Sequence, residues 1–148
     1  MYYPQTFGRA LRVAATMALV GFAAACDGST DADPEPKIAS VRITVGTQTV
    51  SIGETGQQTG TLTLARGNTP VVVAWLRADG SVDPVVNSAE FEVRMITQGT
   101  TGITFTPAGP FAGTLNATSA GQKVVQVQLY HLEEQHDEFE QNLTFTVQ

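Results

Sequence analysis

Both histidines of the chain, His131 and His136, fall within residues 130–140 (YHLEEQHDEFE), beside five of its fourteen acids: Glu133, Glu134, Asp137, Glu138 and Glu140. The domain around this stretch is rich in Thr, Val and Gly, so the segment stands out chemically. Imidazole nitrogens and carboxylate oxygens are donors that Zn(II), Cu(II) and Ni(II) accept. Two imidazoles five residues apart, with Glu134 or Asp137 completing the shell, would form a divalent-metal site that works by simple ligation. Only neutral imidazole has a free lone pair, so a site of this kind weakens below about pH 6. The same residues have a second reading: a solvated acidic hairpin in which His131 caps the core by hydrogen bonding.

Other chemistries find no footing. There is no GxSxG elbow to present a nucleophile, and no glycine-rich loop opens a helix that could cradle phosphate. The paired acids Glu90 and Glu92 lie on one strand face and read as solvated. The expectation is therefore a protein that is not an enzyme. The formal charge is −6, and Arg9 and Arg12 belong to an N-terminal leader, so the remainder carries 6 basic and 14 acidic side chains, or −8. Nucleic acid and anionic membrane surfaces repel such a chain, and neither is expected as a partner.

The elements that must position the histidines are strands. From Ile38 onward, apolar and polar residues alternate with a period of two, punctuated by Gly, Pro, Asn and Asp. Val41, Ile43 and Val45 share one face, Val50 and Ile52 precede a turn at Gly53, and Leu62 and Leu64 alternate with Thr61 and Thr63. Residues 71–76 form a continuous apolar run around Trp75, which predicts a strand covered on both faces with Trp75 in the core; Asp79-Gly80 then supplies a hairpin-type turn. Phe91, Val93 and Met95 face one way and Glu90, Glu92 and Arg94 the other. Short strands follow at 103–105 and 111–117, set off by Pro107 and Gly109-Pro110, and the chain ends in strands at 124–132 and 139–147. Eight or nine short strands without a helix predict an antiparallel β-sandwich.

The last two strands locate the histidines. Pairing Val127 with Leu143 sets Val125 against Phe145, Leu129 against Gln141 and His131 against Phe139, with residues 132–138 as the loop. His131 then sits at the rim of the sandwich, and His136, near the loop tip, can fold back toward it. A competing pattern runs through Leu129, Leu132, His136, Phe139 and Leu143, whose three- and four-residue steps would suit a short amphipathic helix.

Two resemblances add to this reading. VRITV (residues 41–45), then TVSIGETGQQTGTLTL (residues 49–64) with its Gly-Glu-Thr turn, and later ATSAGQKVVQVQL (residues 117–129), resemble the two ends of bacterial immunoglobulin-like (Big-type) domains. The resemblance implies an Ig-like antiparallel sandwich over residues 38–148. Toward the N-terminus, Arg9 and Arg12 precede an uncharged apolar run of 13 residues (13–25), too short to span a bilayer and suited to a signal-peptide core. Ala23, Ala24 and Ala25 precede Cys26, the only cysteine. An Ala-x-Ala site suits ordinary signal peptidase, and a small-residue run ending at Cys resembles the lipobox of bacterial lipoproteins, with Ala23 where Leu is usual. Both cut before Cys26.

The lipoprotein resemblance implies an acylated Cys26 and a lipid bilayer as partner. An unpaired exported thiol would otherwise be chemically exposed, and the acidic, Pro-containing residues 27–37 suit a flexible tether. Residues 1–25 are thus read as a leader, 26–37 as anchor and tether, and 38–148 as the domain. The expected protein is exported and anchored to a bacterial membrane, at its periplasmic face or on the cell surface. It would be a non-catalytic Ig-like module that meets an envelope protein or glycan, or else a protein that binds divalent metal through His131 and His136.

Overall fold

A computed structural model describes residues 34–148; the leader, Cys26 and most of the tether lie outside the described residues. The described part is all β, with ten strands in two stacked sheets. Strand β1 (Ser40–Val45) turns back at Gly46, whose φ of 61° suits glycine, into β2 (Gln48–Gly53). Two short strands, β3 (Gln58–Thr59) and β4 (Thr63–Leu64), lead to β5 (Gly67–Leu76). Then come β6 (Phe91–Ile96), β7 (Ile103–Gly109), β8 (Ala112–Ala117), β9 (Gly121–His131) and β10 (His136–Val147). One sheet has the order β3-β2-β1-β5-β8-β7 and the other β4-β10-β9-β6. Every pairing is antiparallel except β4 with β10.

The alternating apolar residues supply the space between the sheets. Val41, Ile43, Val71 and Leu115 of the larger sheet are fully buried, as are Val125, Val127, Leu129 and Leu143 of the smaller one. Trp75 lies in this core with its ring edge-on to Phe139 at 5.5 Å. Two glutamine side chains stand in for peptide groups where the sheets meet. Gln48 accepts from Thr63 N (3.0 Å) and donates to its O (2.6 Å), and Gln58 does the same with Thr144 (2.9 and 2.9 Å). On the opposite side Val93 N donates to Pro110 O at 2.6 Å, joining β6 to the β7–β8 turn.

Three expectations change. Residues 71–76 are covered on both faces only at their C-terminal end: on the outer face Val72 is 56% exposed and Ala74 half-buried, whereas Leu76, beside the buried Trp75, is itself buried. The helical alternative for residues 129–143 gives way to β9 and β10, since strand phase continues almost to the turn. The register of that hairpin is also shifted by two residues. Gln141, not Leu143, lies opposite Val127, Leu143 opposite Val125, Phe139 opposite Leu129, and His136 opposite His131. The shift preserves which face each residue occupies and shortens the loop from seven residues to the four at 132–135. More of the ladder is thereby hydrogen-bonded. Pro107 falls within β7, an edge strand, where its missing N–H costs no internal ladder bond.

Candidate metal centre

The four-residue turn brings the histidines together. His131 ends β9, His136 opens β10, and the two are direct cross-strand partners. Gln135 closes the turn in a left-handed conformation (φ 58°), its N–H bonded to His131 O at 3.0 Å, while Leu132 N donates to Glu90 O at 2.8 Å. On the other flank Phe91, the first residue of β6, pairs with His131 and stacks on its imidazole with centroids 4.5 Å apart. Phe91 is itself 1% exposed, so the His131 ring is held against a fixed core wall.

Glu134 reaches the histidines from the turn, and Glu138 does so because β10 carries a bulge. Asp137 pairs with Tyr130 and the next pair is Phe139 with Leu129, which leaves Glu138 as the extra residue. Strict alternation would place Glu138 and Phe139 on opposite faces. The bulge instead lets Phe139 enter the core while Glu138 stays on the side of His131 and His136.

One ligand atom from each of His131, Glu134, His136 and Glu138 lies within 4.8 Å of all the others. His131 Nδ1 is 3.4 Å from Glu138 Oε1 and 3.6 Å from Glu134 Oε2. His136 places Nδ1 3.4 Å from Glu134 Oε2 and Nε2 2.9 Å from Glu138 Oε1. Two ligands bonded at about 2.0–2.1 Å to one tetrahedral ion are roughly 3.3 Å apart. Both carboxylates stand near that spacing from His131 Nδ1, whereas His136 offers a different nitrogen to each and must turn to share one ion, the set now being within 4.8 Å. The His131 side chain is 12% exposed, and its Nδ1 is buried without a hydrogen-bond partner, since Glu134 is too distant and Glu138 is not aligned with it. A buried unsatisfied nitrogen costs about 1–3 kcal/mol. A cation among the four residues would satisfy it.

The structure therefore brings together His131, His136 and Glu134 of the anticipated set, with Glu138 in the place considered for Asp137. Asp137 lies on the outer face of the smaller sheet, where it accepts a hydrogen bond from Gln128 Nε2 at 3.0 Å. There burial, and then the charge of Glu140, hold its carboxyl above the usual carboxylate range. The reason is the bulge, which has no counterpart in a pure period-two pattern. The lipidation site proposed for Cys26 lies outside the described residues.

A small cleft of about 210 Å³ opens onto the four ligands. Further walls come from Glu90 and from Pro34, Glu35 and Pro36, where the chain enters the domain. Comparison with protein-family models, with curated proteins and with solved structures finds no match to the chain, and the reading of the site rests on its own geometry.

Proposed function

We propose that this chain is an exported, lipid-anchored envelope protein whose non-catalytic, Ig-like β-sandwich binds one divalent transition-metal ion at the rim of its last hairpin. The observation that carries the metal reading is the convergence of His131, Glu134, His136 and Glu138, with a buried and unpartnered His131 Nδ1 between two carboxylates. Two neutral imidazoles and two carboxylates neutralise a dication and fill a tetrahedral shell, which favours Zn(II) and admits Cu(II) or Ni(II). A shell filled by the protein retains an ion and leaves no open position for a reacting water, in keeping with a non-catalytic role.

Strand order supports the Ig-like part of the reading. The run β1-β5-β8-β7 follows the A-B-E-D order of such sandwiches, and β10-β9-β6 follows G-F-C. The chain departs from antibody-type domains in having a single cysteine and in placing its core Trp75 on the strand equivalent to B. Export and anchoring are supported by the apolar run before Cys26, the lone thiol and the acidic residues that follow it.

The test is calorimetric titration of Zn(II), Cu(II) and Ni(II) into the chain from residue 26 onward, with Cys26→Ser to remove the competing thiol. One-to-one binding at micromolar or tighter affinity, abolished by His131→Ala with His136→Ala, is expected. No binding, or binding unchanged in the double variant, refutes the metal reading. For the anchor, the full chain should carry acyl groups by mass spectrometry and sediment with membranes. A Cys26→Ala chain that remains in the membrane fraction would contradict lipidation.

A further inference from the structure

The metal cleft is completed by the stem of the tether. Pro34, Glu35 and Pro36 line it together with Glu90, Glu134 and Glu138. The stem is fastened just beyond this point: Lys37 N donates to Asp83 Oδ2 at 2.7 Å, Ala39 N bonds Leu76 O at 2.8 Å, and Ile38 packs against the core. Asp83 is fully buried and also accepts from Val85 N (2.9 Å) and Arg77 Nη2 (3.3 Å), so the attachment at Lys37 is rigid. N-terminal to it, the two prolines fix their own φ and restrict Glu35 to extended conformations. The stem is thus stiff, and it lies on the cleft without a backbone hydrogen bond to it among the described residues.

Charge decides whether it stays there. Four carboxylates, Glu35, Glu90, Glu134 and Glu138, line the cleft, and no Lys or Arg does. Without an ion, Glu35 faces the like charges of Glu90, Glu134 and Glu138; a dication on the hairpin cancels two of the three, so most of the repulsion on Glu35 is relieved. We infer that a bound metal ion lets the tether stem settle on the sandwich by relieving the repulsion on Glu35, so that metal occupancy controls how freely the domain moves on its anchor. This inference rests on the metal-binding reading and adds to it a regulated element, the stem.

Linkage makes the inference measurable from both ends: if the ion holds the stem, the stem must tighten the ion by the same factor. With Zn(II) alone as the probe, Glu35→Gln in the chain from residue 26 (Cys26→Ser) should weaken affinity by roughly two- to fivefold, the size of an exposed ion pair. Saturating Zn(II) should slow tryptic cleavage after Lys37 several-fold in the parent and clearly less in Glu35→Gln. Cleavage after the exposed Arg66 serves as internal control and should not change. Equal zinc affinity in both proteins with no zinc-dependent protection at Lys37 overturns the stem inference and leaves metal binding standing. Absence of zinc binding in the parent overturns both.

Discussion

The placement of Glu138 by the β10 bulge is the part of the site most open to direct attack. Glu138→Gln keeps the size of the side chain and removes an anionic ligand whose oxygen lies 2.9 Å from His136 Nε2 and 3.4 Å from His131 Nδ1. Asp137→Asn makes the same chemical change one residue away, on the outer face. At a free Zn(II) concentration of about 100 Kd the parent gains about 2.7 kcal/mol of stability. If losing one of four ligands raises Kd about tenfold, the same zinc concentration stabilises Glu138→Gln by only about 1.4 kcal/mol. For a domain of this size 1 kcal/mol moves Tm by about 4 °C, so the zinc-induced shift should fall from about 11 °C to about 6 °C. Asp137→Asn should keep the full shift. Its metal-free Tm should equal or slightly exceed the parent's, because burial and Glu140 already disfavour the Asp137 charge. Scanning calorimetry with and without zinc reads all of these values. A larger loss of the zinc shift in Asp137→Asn than in Glu138→Gln would refute the bulge argument.

Asp83→Asn should destabilise the domain by about 1–3 kcal/mol at neutral pH in urea melts, since it replaces a charged acceptor shared by Lys37 N, Val85 N and Arg77. Burial alone would raise the Asp83 pKa, but those donors outweigh it and hold the carboxyl below its usual range. Its stabilisation is therefore complete above the unfolded-state pKa of about 3.9 and lost as pH falls through the lower folded value, so the parent and Asp83→Asn should converge in stability below about pH 4. Gly113→Ala should cost about 1–3 kcal/mol, because its Cβ would meet the Phe105 ring and Thr106 O across the β7–β8 pair; an unchanged melting temperature would contradict that contact. Gln135→Gly should raise stability by up to about 1 kcal/mol through relief of a left-handed residue at the turn, and a loss of stability would show that the Gln135 side chain matters there.

Much of this protein was legible in its residues. Val41, Ile43, Val45, Val50 and Ile52 announce inward faces by alternation, and all are buried. A period of two is a property of each strand alone and survives any partner. The same insensitivity hides register. Moving β10 by two residues against β9 leaves every inward residue inward, so the pattern could not separate Val127 opposite Leu143 from Val127 opposite Gln141. Nor does alternation foresee Lys123, which holds an inward position opposite Phe145 and is tolerated because its ammonium reaches Thr101 O and Ser119 Oγ at 3.0 and 2.8 Å.

The candidate site divides along the same line. That His131, His136 and a neighbouring acid would be close follows from their nearness in the chain, since a hairpin cannot hold such residues far apart. Which acid, and against what wall, depends on contacts remote in sequence. The bulge that turns Glu138 toward the histidines is set by how Phe139 fills the core beside Trp75. Phe91 comes from forty residues upstream to stack on His131, and residues 34–36 reach the same cleft from nearly a hundred. By itself the sequence determined the strands, their buried faces and the residue types available for ligation; the packing of one sheet on the other decided which of them point at a common centre, because direction at a rim is fixed by the core behind it.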